Sequence, residues 1–270
     1  MTLLFFLSVL LPVLDSGPAQ TLPSGLSGKA DTLKVWQVSA ERISADPLGN
    51  FYIVSSGSLV RFDPEGDSAY SWSDPASGRI TLADSGDPLR TLIYHKDFNM
   101  IRFLNNRLAP LSEPVRLDDL GITSPLAIAI SRQGGFWVLD GSTYRIRYID
   151  RQLKIVVESE PLNLLSGSGT PDYRLIESGD QVFLLLPGRE IQVFDLFANF
   201  VKKIPVKASS FSCYGQLILL VFPDKILLRS DPVTPDVTVF LSGGADILEA
   251  CMTQDKLLVR TSTRVILFRR

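Results

Sequence analysis

Residues 135–150 read "GFWVLDGSTYRIRYID". A glycine leads into an apolar run over 136–139, a polar turn follows over 140–144, and an alternating strand over 145–149 closes on Asp150. Residues 153–157, "LKIVV", add a further strand after a short turn. Runs of this length, bounded by turn residues, predict a meander of antiparallel strands.

The unit recurs. "GNFYIVSSGSLVRFD" spans 49–63, "GDQVFLLLPGREIQVFD" spans 179–195 and "GQLILLVFPDKILLRSD" spans 215–231. Two degenerate copies, "LRTLIYHKDFNMIRFLNN" from Leu89 and "KLLVRTSTRVILFRR" from Lys256, lack the glycine and the closing aspartate. The first apolar residue of each hairpin falls at Phe51, Leu92, Phe136, Val182, Leu217 and Leu257, in steps of 41, 44, 46, 35 and 40 residues. A period of about 40–50 residues with four strands per unit is the signature of a β-propeller. "VFLLL" at 182–186 and "LILLVF" at 217–222 are apolar on both alternating faces. Such strands are dry on both sides, as packing between neighbouring blades requires.

The last copy runs out at its third strand, "RVILFRR", while an unassigned strand, "LKVWQVSA", stands at 33–40. An N-terminal strand that supplies the missing fourth closes the ring. The expected fold is therefore all-β: a six-bladed β-propeller of four-stranded antiparallel blades over 34–270, closed by that strand.

Gly135, Val138, Asp140, Arg145, Ile146 and Asp150 also fall in register with an NHL-type repeat. The chain resembles NHL-like six-bladed propellers, and in overall layout exported bacterial propellers. The resemblance implies a fold and says little about activity.

Ahead of the propeller, "LLFFLSVLLPVL" at 3–14 is a 12-residue apolar run broken by Pro12. Spanning a bilayer takes about 20 such residues, so no transmembrane span is expected. A secretory signal peptide over 1–19 fits, with Gly17 and Ala19 as the small residues before the cut, although no Lys or Arg precedes the run. Residues 20–33 read as a flexible lead-in. Export to the periplasm or the outside follows. A formal net charge of −2 gives no case for nucleic acid.

Candidate chemistry is sparse. Cys213 and Cys251 rule out a CxxC pair or a thiolate zinc cluster; two small buried thiols are the favoured reading, a disulfide between them the alternative. His95, the only histidine, reads as a surface turn residue in "HKDF", and no GxSxG accompanies it to build a triad. The expected inner strands, "RISAD", "LAIAIS", "YRLIES", "SFSCY" and "LEACMT", offer Asp46, Glu177 and Glu249 at different depths. That spread predicts no channel metal, and no cofactor is expected. "DPEGD" at 63–67 lacks calcium-loop spacing and reads as a tight turn.

One pattern points to binding. The turn between the second and third strands falls on the same face in every blade, and in units two to six it carries Lys96, Arg145, Arg189, Lys225 and Arg264. Turns of the opposite face read acidic, from Asp46 and Asp63 through Asp150 and Asp195 to Asp255. A disc polarised in this way would orient toward a charged partner, although Asp97, Asp140, Glu190 and Asp224 offset the bases locally. The expected function is a non-catalytic interaction or scaffold module for a protein partner in the cell envelope. The rival is a lactonase or a carbohydrate-acting hydrolase or lyase sited at the central channel.

Overall fold

The computed structural model describes residues 31–164, 172–230, 235–244 and 246–269. The expected signal peptide, 1–19, and most of the lead-in lie outside them. Among the described residues no helix is long and apolar enough to cross a membrane.

The chain forms six four-stranded antiparallel sheets. Strand β1 (Thr32–Trp36) stands apart from the first sheet, which holds β2 (Arg42–Ala45), β3 (Phe51–Ser55), β4 (Ser58–Phe62) and β5 (Ser68–Ser73). Blade 2 holds β6 (Leu82–Asp87), β7 (Arg90–His95), β8 (Met100–Asn105) and β9 (Val115–Arg116). Blade 3 holds β10 (Pro125–Ile130), β11 (Phe136–Asp140), β12 (Arg145–Ile149) and β13 (Ile155–Glu158). Blade 4 holds β14 (Arg174–Ser178), β15 (Gln181–Leu186), β16 (Glu190–Asp195) and β17 (Phe200–Pro205). Blade 5 holds β18 (Ser210–Tyr214), β19 (Leu217–Val221), β20 (Lys225–Arg229) and β21 (Val237–Leu241). Blade 6 holds β22 (Glu249–Met252), β23 (Lys256–Arg260) and β24 (Val265–Arg269), and β1 pairs with β24 as its outermost strand. The ring closes as the sequence predicts, with a closing strand that ends at Trp36 rather than running to residue 40.

The first strand of each blade is innermost, and each touches the inner strands on both sides. Six apolar clusters fill the wedges between successive blades. Trp137, Ile146, Leu184 and Phe194 pack blade 3 on blade 4, and Phe51, Ile53, Leu258 and Leu267 pack blade 6 on blade 1. All of β11 is buried, which accounts for the unbroken apolar run that opens the repeat.

The closing aspartate is a turn device. Asp150 Oδ1 accepts the N–H groups of Gln152 and Lys154, both at 2.9 Å, and Leu153 between them is left-handed at φ 61°. Asp195 does the same for Phe197 and Asn199 around Ala198 at φ 60°. In "DPEGD" Asp63 takes the N–H of Asp67 at 2.8 Å, which makes that segment the expected turn. Unit two is less degenerate than its sequence suggests, because Asn105 accepts from Arg107 and Ala109 in the aspartate's place. Short side-chain acceptors that bond the backbone two and four residues on fix such turns without a partner strand.

Two of the sequence readings need correction. His95 is not a surface residue: it is the last residue of β7 and fully buried, its Nδ1 3.2 Å from Gly78 O and its ring 6.0 Å from Trp72. The polar turn begins one residue later, at Lys96. Gly135 is also not the counterpart of Gly49. The left-handed glycine two residues before the apolar run is Gly134 in unit three (φ 104°) and Gly49 in unit one (φ 91°). Gly135 is required for a different reason, since a Cβ there would overlap the Ile149 carbonyl.

Candidate functional site: the central channel

The inner strands enclose a cavity of about 650 Å³. All five inner strands expected from sequence line it, and so does one that sequence reasoning missed, β6, with Asp84. Because the inner strands run in one sense, their first residues gather at one end of the channel.

At that end, on the face of the second-to-third-strand turns, Glu249 of blade 6 meets three guanidinium groups. Arg260 Nε lies 2.8 Å from its Oε2, Arg42 Nη1 3.8 Å from its Oε1, and Arg174 of blade 4 pairs with the same Oε1. Arg42 also reaches across the channel to Asp172 at 3.4 Å. Burial, and then repulsion from Arg42, lowers both Arg174 and Arg260 to about 10. Both stay charged at neutral pH.

Farther along the strands sit Asp84 and Glu177. Burial raises the Asp84 carboxyl to about 6; the N–H groups of Ile130 and Gly86 oppose the shift, Glu177 adds to it and Arg174 opposes it. Glu177 accepts the Trp137 indole at 2.6 Å and the Arg132 N–H at 3.0 Å.

Three of these carboxylates share a role. Glu249 accepts the Ile43 N–H at 3.1 Å, Asp84 the Ile130 N–H at 2.8 Å, and Glu177 the Arg132 N–H. Each acceptor and donor lie on neighbouring blades, so the carboxylates stitch inner strands that carry no ladder between them. Asp46, expected both as a channel carboxylate and as a face charge, is spent within its own blade. It is buried and accepts from Leu48 and Asn50 N–H groups and from the Tyr52 hydroxyl at 2.9 Å. Among the described residues no group of three His, Cys, Asp or Glu side chains is placed to hold a metal ion.

Cys213 and Cys251 both border the channel, on adjacent inner strands, and both are free thiols in this structure. Burial pushes each up to about 12, which keeps them protonated and unreactive at neutral pH.

The five turn bases sit on one face but in different settings. Lys96, Arg189 and Arg264 are exposed, and Lys96 also borders the channel mouth. Arg145 is half-buried, donating to Ser159 O at 2.7 Å and pairing with Glu158 at 3.3 Å. Lys225 lies 5.6 Å over the Phe222 ring.

No family model and no curated protein matches the chain. Solved structures do. A streptogramin B lyase shares 12% identity over 90% of this chain and 86% of its own, with a TM-score of 0.58. The Pan2 WD40 domain of Neurospora crassa shares 12% over 88% and 94%, also at 0.58. BBS1N, solved in complex with ARL6DN, shares 12% over 85% and 78%, at 0.55. The likeness is one of fold. It spans a lyase, a WD40 domain and a protein caught with a protein partner, so it does not choose among them.

Proposed function

We propose that this chain is an exported, non-catalytic NHL-like propeller that serves as a protein-interaction or scaffold module in the cell envelope. The observation that carries the reading is the exposure of large apolar side chains on the outer strands and turns of blades 3 and 4. Phe197 is 74% exposed, Phe200 57% and Val156 53%, with Val201, Ile155 and Leu153 beside them in sequence exposed to a lesser degree. Phe197 stands at the tip of the Asp195 turn, where hydrogen bonds hold it out toward water. Exposed apolar residues grouped within a strand and its turn mark surfaces that other proteins cover. The apolar run at 3–14 supports export.

Photo-crosslinkers placed at 197 and 200 of the full chain in its native cell, followed by fractionation, test this. One discrete adduct in the envelope fraction, lost in a Phe197→Glu/Phe200→Glu double variant, is expected. Absence of any adduct, with the chain in the cytosol, overturns it.

A second reading, a channel enzyme, is favoured by one observation: Asp84, a carboxyl held near 6, borders the cavity. General acid–base groups work best with a pKa near the operating pH. Against it, both Asp84 oxygens already accept backbone N–H groups. Turnover of a lactone or glycoside by the purified protein, abolished by Asp84→Asn, would establish it.

A further inference from the structure

At the arginine end of the channel the charges do not balance. Arg42, Arg174 and Arg260 share one buried carboxylate, Glu249. Among the described residues the only other carboxylate within ion-pair distance of these arginines is Asp172, whose side chain is 68% accessible and reaches Arg42 at 3.4 Å, while Glu41 acts on Arg260 from farther off. Positive charge in a partly buried site is costly unless it is paired. A guanidinium carries five N–H donors, yet among the described residues Arg174 meets only Glu249. On the next blade, in β18, Ser212 Oγ is buried without a hydrogen-bond partner among the described residues and lines the same cavity.

We propose that this end of the channel binds a small organic oxyanion, a carboxylate or a phosphate, in the fork between Arg42 and Arg174, where it displaces Asp172. Two guanidinium groups facing one space match the paired oxygens of such a group. The cavity's volume suits a ligand larger than the bare ion. The rest of the molecule is neutral and hydrogen-bonding, because Asp84 and Glu177 line the far part of the cavity and repel a second negative charge, while Ser212 offers an unused hydroxyl. Exposed Lys96 at the rim adds to the positive field that draws an anion in. This site is separate from the apolar rim of blades 3 and 4, and its fate is independent of that surface.

Calorimetric titration of the full chain at low ionic strength tests the site. The probes are 4-hydroxybutyrate against its neutral counterpart 1,4-butanediol, and glycerol 3-phosphate against glycerol. At least one anion binds and neither neutral compound does; which anion binds distinguishes a carboxylate ligand from a phosphate one. Arg174→Gln weakens binding about tenfold or more, the scale of a lost charge-assisted bond, while Arg107→Gln on an exposed turn of the opposite face leaves it unchanged. Asp172→Asn, at an exposed position outside any strand, tightens binding several-fold by removing the internal competitor. That variant decides the matter even if Arg174→Gln fails to fold. Binding of neither anion, equal binding of the neutral compounds, or no gain in Asp172→Asn overturns the proposal.

Discussion

Glu249 on the last blade accepts the backbone N–H of Ile43 on the first, at 3.1 Å, through the same oxygen that receives Arg260. One buried carboxylate therefore joins the ends of the ring and holds the arginines of its mouth.

Glu249→Gln keeps an acceptor for Ile43 but removes the charge that Arg42, Arg174 and Arg260 share. Removing one partner of a buried ion pair costs about 3–5 kcal/mol. Urea unfolding should show a loss of that order, against little change for Glu160→Gln on the exposed surface.

Asp84 predicts a pH dependence of definite sign. Its folded carboxyl titrates near 6, above the ordinary value of 3.8, so the folded state binds the extra proton between those values. The stability it contributes is full below about pH 4 and is lost as pH rises through about 6. Unfolding midpoints at pH 4.5 and 7.5 measure this; Asp84→Asn should remove this component of the difference and be relatively more stable at the higher pH. Equal pH responses in the two proteins would mean that Asp84 is not the group.

Strand β1 holds the ring shut by pairing with β24, by the Trp36–Phe62 contact at 5.0 Å, and by Lys34, which reaches Gly66 O at 2.6 Å and Asp67 at 2.8 Å on blade 1. A chain lacking residues 1–40 exposes the edge of β24, and an open edge recruits a strand. A labelled peptide of residues 31–40 should bind that truncated chain and restore its cooperative unfolding, while ignoring the full chain. Anisotropy of the label reads both.

Gly135→Ala forces a methyl group against the Ile149 carbonyl, and overpacking of this kind costs about 1–3 kcal/mol. Gly243→Ala, with open space around it, should stay within about 0.5 kcal/mol. Chemical denaturation of the pair separates backbone crowding from any general cost of losing a glycine.

Cys213 and Cys251 should both resist iodoacetamide at pH 8 in the folded protein and both react once it is unfolded, as thiols held near 12 require. Mass spectrometry of the two samples counts the labels.

The architecture was legible because packing between blades demands it. Strands such as β11 and β15 are buried on both faces, so their apolar runs stand out from any surface strand. The channel was only half legible. Strand β6 reads "LADSGD", small and polar, and unlike the inner strand β10, "PLAIAI", it carries little apolar signal. With it went Asp84. The arginine cluster left no local trace at all: Arg42, Arg174 and Arg260 begin or end strands of three different blades, and ring closure alone gathers them. His95 was misread because three non-β residues follow it, while the ring that buries it, Trp72, comes from the preceding blade.

The pairing of Thr32 with Phe268 has a consequence for biosynthesis. A ribosome releases β1 long before β24 exists, so the earliest strand must wait, unpaired, until nearly the whole propeller has emerged. Blades 1 to 5 can each form as their own hairpins appear; the sixth cannot. Final closure therefore follows the emergence of β24, and in an exported chain it would fall after passage through the membrane, where threading needs the ring still open.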